Sequence, residues 1–281
     1  MKVLITGGCG FIGSNLCEYL VAKGHSIVVI DNLSTGYKAN LSRVLNVVEL
    51  HCKNLEQFDL KSLTGIDVIV HLAAQASVPR SIDNFGDSSG SNLMGTIKII
   101  DHCRGNNIPV VYASSSAIYG NMKLGNDELD QVDLLSPYAI DKYMMELYMK
   151  NAFQLYSLSS IGLRFFNVYG PKQDASNPYS GVISIFVERL LKGRNITING
   201  GYQTRDFVYV MDVVEAIYKS INLVCSQKVC DQINILSGKS ISIESIADAL
   251  MGRVNTVVEK LYADLPVGDP KESNGTSKKM K

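Results

Sequence analysis

A tyrosine four residues ahead of a lysine can form a proton-transfer pair, and this sequence offers three: Tyr19–Lys23, Tyr119–Lys123 and Tyr138–Lys142. With 14 tyrosines in 281 residues, roughly one such spacing is expected by chance, so the pattern needs a context. A free phenol ionises near ~10, too high for a base at neutral pH; a neighbouring ammonium favours the phenolate. That requires both side chains on one helical face, which i,i+4 spacing provides. Tyr119 is followed at once by Gly120 and Asn121, so no continuous helix carries Lys123 beside it. Tyr138 follows Ser136, a good N-cap, and Pro137, which suits a first helical turn. "YAIDKYMMELYMKNAFQLY" then continues as a long helix over about 138–156. Tyr138–Lys142 is the pair to expect at a site. Ser115, at the end of the preceding strand, is placed to share the same substrate hydroxyl.

The elements that must position this pair are written in alternation. "KVLIT" (2–6) reads as a buried strand and runs into Gly7, Gly10 and Gly13. A helix over about 11–23 follows, with Ile12, Leu16 and Leu20 on one face and a stop at Gly24. "SIVVID" then ends in Asp31, 18 residues beyond Gly13. Glycines between a strand and a helix let backbone N–H groups approach a pyrophosphate, and an acid after the second strand accepts from ribose hydroxyls. The Asp31 charge would repel a 2′-phosphate, so the expected cofactor is NAD rather than NADP. Tyr19–Lys23 falls at the far end of this helix from the phosphates and reads as packing. Helical or loop material at about 37–46, a strand near 47–52, "DVIVHLAA" (67–74), a helix near 91–106 and "PVVYASSS" (109–116) complete the first half. The pattern predicts an α/β doubly wound parallel sheet. Ala73, Ala74, Ser114 and Ser115 lie at its strand ends, where such sheets bind ligands.

Composition narrows the alternatives. Lys+Arg and Asp+Glu are 27 each, which gives no basic footprint for nucleic acid or an anionic membrane. No apolar run is long enough for a membrane span. The opening apolar run is cut by Gly7 and Gly8, so it reads as a strand rather than a signal peptide, and a cytoplasmic location is expected. Six cysteines and four histidines show neither disulfide clustering nor metal-ligand spacing; reduced thiols and no metal are expected.

Read in order, "TGGCGFIGSNL", "DNLSTG", "HLAAQASV", "NLMGT", "YASSSAIYG", "SPYAIDK", "LRFFNVYGP" and "QTRDFVYVMDVV" resemble the extended short-chain dehydrogenase/reductases, in particular nucleotide-sugar epimerases of the UDP-glucose 4-epimerase type. The resemblance covers about residues 1–240. It implies that Ser115, with Ser116 as a possible contributor, acts with Tyr138 and Lys142. NAD contacts would then extend to Phe11, Ile12, Asn32, Ser34, Thr35, Gly36, Asn54, Leu55, Leu72, Gln75, Asn92 and Phe165. The substrate would meet Ser77, Asn167 and Arg205, and "GVISIF" with Val182 would line a uracil pocket. Residues 1–166 with about 207–233 would form the Rossmann domain. A smaller nucleotide-sugar-binding domain would come from 167–206 and 234–281. The implied reaction is inversion at C4 through a 4-keto sugar, because Ser116-Ala117 stand where related 4,6-dehydratases carry an Asp-Glu pair. Ser273, aligned on Gly268-Asp269, would leave room for an N-acetyl group.

Three departures qualify that reading. Asn54 stands where relatives usually have an Asp. Pro266 or Val267 replaces an arginine expected before Gly268-Asp269, and Lys271 is the nearest cation to compensate. The polar, lysine-rich "PKESNGTSKKMK" is expected to be disordered, which would leave the substrate domain shortened. The broad apolar faces of the 91–106 and 138–156 helices read as core packing, and the resemblance implies that the pair also forms a homodimer through a four-helix bundle. A 4-keto-sugar reductase and a non-catalytic NAD-binding protein are the competing readings.

Overall fold

The computed structural model describes residues 1–176, 180–254, 258–266, 268–276 and 278–280. The chain opens with β1 (Lys2–Thr6), α1 (Phe11–Ala22), β2 (Ser26–Asp31), β3 (Val48–Cys52) and β4 (Val68–His71). Two short helices follow, α2 (Val78–Asp83) and α3 (Phe85–Ser89), then α4 (Gly95–Asn106), β5 (Val110–Ser115), α5 (Pro137–Tyr156), β6 (Ser160–Phe165) and β7 (Asn167–Tyr169). The remainder comprises α6 (Val182–Leu191), β8 (Ile196–Asn199), β9 (Thr204–Tyr209), α7 (Val210–Ser226), β10 (Cys230–Ile235), β11 (Ser240–Ser242), α8 (Ile243–Met251), β12 (Lys260–Ala263) and β13 (Glu272–Ser273).

Seven strands form one sheet in the order β10-β6-β5-β4-β1-β2-β3, and every pairing in it is parallel. The order reverses between β1 and β4, which creates the crevice where doubly wound sheets bind dinucleotides. Both faces are covered, so the central strands β1, β2 and β4 read as near-continuous apolar runs rather than alternating ones. On one face Leu16, Cys17 and Leu20 of α1 and Val213, Ile217 and Ile221 of α7 pack on Val3, Ile5 and Val29. On the other, Ile99 and Cys103 of α4 and Met145, Met149 and Ala152 of α5 pack on Leu4, Val28 and Ile69.

The later segments build a second, smaller layer at the carboxyl edge of the sheet. There β9 pairs with β7, β11 and β13, and β8 pairs with β12. Phe186 and Leu190 of α6, Ile196 and Ile198 of β8, and Ile243 and Ala247 of α8 form its core.

One expectation is refined here and one is corrected. The helix near 91–106 is α-helical only from Gly95; residues Gly90–Met94 form a wider π turn that turns Asn92 inward, buried to 1% exposure. The "PKESNGTSKKMK" segment is ordered where described. Glu272 and Ser273 pair in parallel with Thr204 and Arg205, Gly275 bridges Gly125, and Lys279 pairs with Asp231 at 2.6 Å. Its backbone completes sheet edges, which composition alone does not reveal.

Candidate active site

The glycine loop is built for close approach. Gly7 takes φ +73°, and a Cβ there would lie 2.8 Å from the Ala73 amide nitrogen. A Cβ on Gly13 would sit 2.2 Å from the Gly7 carbonyl oxygen. These contacts hold β1, the loop and α1 so close that only glycine fits. Gly10 precedes α1, no side chain caps the helix, and no acid occupies its first turn. The amides around Phe11, Ile12 and Gly13 thus offer donors to a pyrophosphate. Asp31 is buried at the end of β2, with one oxygen accepting from the Cys9 amide at 2.9 Å and the other from the Leu33 amide at 2.8 Å. It braces the loop and keeps lone pairs for ribose hydroxyls. Exposed Ser34 and Thr35 and buried Gly36 continue beside it. Asn32 donates to Asn54 at 2.8 Å, so Asn54 is already engaged by its neighbour. Leu55 is turned into the core under Gly95. Across the crevice, Leu72 and Ala73 follow β4, and the Ala73 amide donates to Thr6 Oγ1 at 3.2 Å. Ala74 is half-buried beside them.

Asn92 ties this rim to α5. Its Oδ1 accepts from the Gln75 amide at 2.8 Å and its Nδ2 donates to Asp141 at 3.0 Å. The Gln75 side chain donates in turn to the Ser77 carbonyl and the Ser88 hydroxyl, each at 2.9 Å.

Ser136 caps α5 by accepting from the Ala139 amide at 3.2 Å, with Pro137 in the first turn. That register points Tyr138, Lys142 and Glu146 along one face, each under a tenth exposed. Tyr138 lines a cleft of about 210 Å³ together with Ser115, Ser116, Phe165, Asn167 and Arg205. Lys142 lies beneath it, with Nζ 5.7 Å from the phenol ring centroid and donating to the Ala113 carbonyl at 2.8 Å. Burial lowers Lys142 to about 8, against a smaller raising effect of Asp141. Burial raises Tyr138 above its ordinary value, opposed by a hydrogen bond with Ser115. The other two tyrosines have their own partners, although Tyr119 also lines the cleft. Tyr19 packs edge-on against Tyr218, and the Tyr119 hydroxyl is held by Arg164 at 2.7 Å and Asn234 at 2.8 Å.

Four expected residues lie off the cleft. Strand alternation sends Ser115 into it and Ser114 to the opposite face, where the Ser114 hydroxyl donates to Glu146. Ser77 has its hydroxyl committed to the Arg80 amide as the cap of α2, although its neighbours Ala76 and Val78 line the cleft. Val182 packs on the core of the smaller layer. Lys271 is exposed; its carbonyl accepts from the Thr204 amide at 3.1 Å, and it is not part of the cleft wall. The wall is instead Asp269, Pro270, Glu272, Ser273 and Asn274. Arg205 is the one cation lining the cleft among the described residues, and it pairs with Asp269 at 2.7 Å. Of the two residues named in place of a second arginine, Pro266 closes the turn by accepting from the Asp269 amide at 3.2 Å, while Val267 lies outside the described residues.

The sequence reading missed Glu146 and Arg164, although the i,i+4 step from Lys142 to Glu146 and the lone charge in "GLRFF" were visible signals. Arg164 makes two bonds to Glu146, at 2.9 and 2.7 Å, with both side chains buried. Burial opposes the Arg164 charge, but the Glu146 carboxylate overrides it and holds the guanidinium above its ordinary value.

A Rossmann sheet with this loop, Asp31 and a Ser-Tyr-Lys constellation defines a dinucleotide-dependent enzyme of the extended short-chain dehydrogenase/reductase type. The chain matches the model of the NAD dependent epimerase/dehydratase family over residues 3–235. It belongs to that family, and its cofactor is NAD. A relative from Methanocaldococcus jannaschii described as a putative UDP-glucose 4-epimerase is 36% identical over 264 residues, covering 92% of this chain and 85% of that protein. Among solved structures, UDP-N-acetylglucosamine 4-epimerase from Methanobrevibacter ruminantium, in complex with UDP-N-acetylmuramic acid, superposes with TM-score 0.92 at 35% identity, covering 99% and 90% of the two chains. UDP-glucose 4-epimerase from Thermotoga maritima with UDP-glucose gives TM-score 0.91 at 32% identity, covering 100% and 91%.

Proposed function

We propose that this protein inverts C4 of a UDP-hexose, with Tyr138 as the base and acid at the C4 oxygen. The observation that carries the reading is that Ser115, Tyr138, Asn167 and Arg205 line one cleft. Tyr138 takes the C4 hydroxyl proton, and Ser115 holds that oxygen in line. Lys142 beneath the ring favours the phenolate. When bound, NAD would supply reversible hydride transfer and a positive charge near the phenol. Gly7, Gly10, Gly13 and Asp31 would hold it. Arg205 and Asn167 bind the diphosphate end, so the 4-keto sugar can turn over without leaving. Ser116 and Ala117 follow Ser115, where a dehydration needs an acid; among the described residues the acids lining the cleft are Asp269, which is tied to Arg205, and Glu272.

Ser273 in the cleft wall is small, which supports UDP-GlcNAc/UDP-GalNAc as a substrate pair, alongside UDP-glucose/UDP-galactose. We also assign a homodimer: Met94 beside α4, and Ile140, Leu147, Tyr148 and Leu155 of α5, leave apolar side chains exposed at 39 to 62%. The six cysteines are free, which suits a reducing cytoplasm.

The test is to incubate the protein separately with UDP-GlcNAc, UDP-GalNAc, UDP-glucose and UDP-galactose without added reductant, and to resolve the products. Interconversion is expected, and Tyr138→Phe should abolish it while leaving NAD bound. Net oxidation, reduction or dehydration, or no conversion by NAD-loaded protein, would overturn the reading.

A further inference from the structure

The segment 269–274, which supplies Asp269, Pro270, Glu272, Ser273 and Asn274 to the cleft wall, has little apolar anchorage: its strand β13 is two residues long. The next fixed point is the bridge of Gly125 with Gly275, where the Gly125 amide donates to Asn274 at 2.8 Å and the Thr276 amide donates to Gly125 at 2.9 Å. Beneath that bridge lies Asn234 of β10, with 0% exposure. Its Nδ2 donates to the carbonyls of Gly125 and Thr276 at 3.2 and 3.1 Å. Its Oδ1 accepts from the Tyr119 hydroxyl at 2.8 Å. That hydroxyl already accepts from Arg164, so its proton goes to Asn234 and the amide orientation is fixed. Arg164 is clamped by Glu146, which also accepts from Ser114. A continuous run of buried hydrogen bonds therefore joins the wall to the two elements that carry Ser115 and Tyr138.

We infer that Asn234 is a positioning residue that sets the distance of the Ser273 wall from Ser115 and Tyr138, and so decides which hexose the cleft accepts. This rests on the proposed UDP-hexose chemistry. The about 210 Å³ cleft is small against the roughly 300–1,000 Å³ usual for ligand sites, so a modest shift of the wall changes what fits. Asn234 is not in the cleft wall or the glycine loop; a leucine or an alanine there would take its donor from the Thr276 carbonyl and leave the Gly125 carbonyl with the Thr276 amide alone.

The test compares Asn234→Ala and Tyr119→Phe with the wild type, all loaded with NAD. Hydrogen exchange over 269–276 should speed up about tenfold in Asn234→Ala, with α1 and β1 unchanged; the lost bonds correspond to that factor. KM for UDP-sugars should rise about tenfold with kcat within about threefold, and the preference between N-acetylated and plain hexoses should narrow. Tyr119→Phe should move the same quantities in the same direction by less. Unchanged exchange over 269–276, or kcat, melting temperature and bound NAD falling together at constant preference, would overturn the inference. If the wild type converts no UDP-hexose, the substrate reading falls, while the exchange comparison still decides whether Asn234 holds the wall.

Discussion

Lys142 should cost the fold stability in return for its position under Tyr138. Its side chain is buried, its ammonium finds one neutral carbonyl at 2.8 Å, and burial brings its pKa from 10.5 to about 8. At about 1.4 kcal/mol per unit, a charged Lys142 destabilises the fold by about 3 kcal/mol relative to the unfolded chain. The sign follows from proton counts. Between pH 8 and 10.5 the unfolded chain holds a proton that the folded chain has released, so stability rises with pH across that window. The cost is fully present below pH 8. Lys142→Met keeps the stem, removes the charge and loses one hydrogen bond. In NAD-stripped protein, urea unfolding at pH 7 should find the variant at least as stable as the wild type and catalytically dead. The decisive quantity is the stability difference between the two, in which the other titrating groups cancel. It should shift in favour of the wild type by about 3 kcal/mol from pH 7 to pH 10.5. A difference independent of pH, or one moving toward the variant, would refute the reasoning and place the ammonium in a better solvated site.

The other predictions address the cradle, the buried pair and the cleft. Gly13→Ala should abolish bound NAD and lower the melting temperature, because its Cβ would lie 2.2 Å from the Gly7 oxygen, whereas Gly10→Ala meets the same atom at 3.2 Å and should weaken NAD, whose pyrophosphate approaches there, with a smaller loss of stability; absorbance of the released nucleotide and thermal unfolding check both. Asp31→Ala should weaken NAD roughly ten- to a hundredfold and narrow the preference over NADP, read by calorimetric titration. Glu146→Ala strands the buried Arg164 charge and should cost about 3–5 kcal/mol in denaturant unfolding, far more than Glu146→Gln. Arg205→Met should weaken UDP binding roughly tenfold or more without loss of NAD.

What could be read from the sequence divides along a physical line. Local chemistry was legible: Gly7, Gly13 and Asp31 carry meaning because backbone approach and a charged acceptor need those residue types at those places, whatever packs around them. Ser136-Pro137 likewise announces the start of α5 and thereby the facing of Tyr138 and Lys142. Side-chain direction was less legible. Ser114 and Ser115 are the same residue type, and strand pleating alone sends one to the cleft and the other to Glu146. The distant partners were illegible, because they depend on where separate segments meet. Arg205 reads locally as one half of a pair with Asp206, yet Arg205 reaches Asp269, while Asp206 accepts from the amides of Ser237 and Gly238 at 2.7 and 2.8 Å. The same reason hid the ordering of "PKESNGTSKKMK". Composition measures how much apolar area a segment can bury, and this one buries little; its order comes from backbone groups completing β9 and the Gly125 loop. A wall held in that way depends on single buried polar residues rather than on a core, so its position can change while the cradle and the Tyr138–Lys142 pair stay as they are.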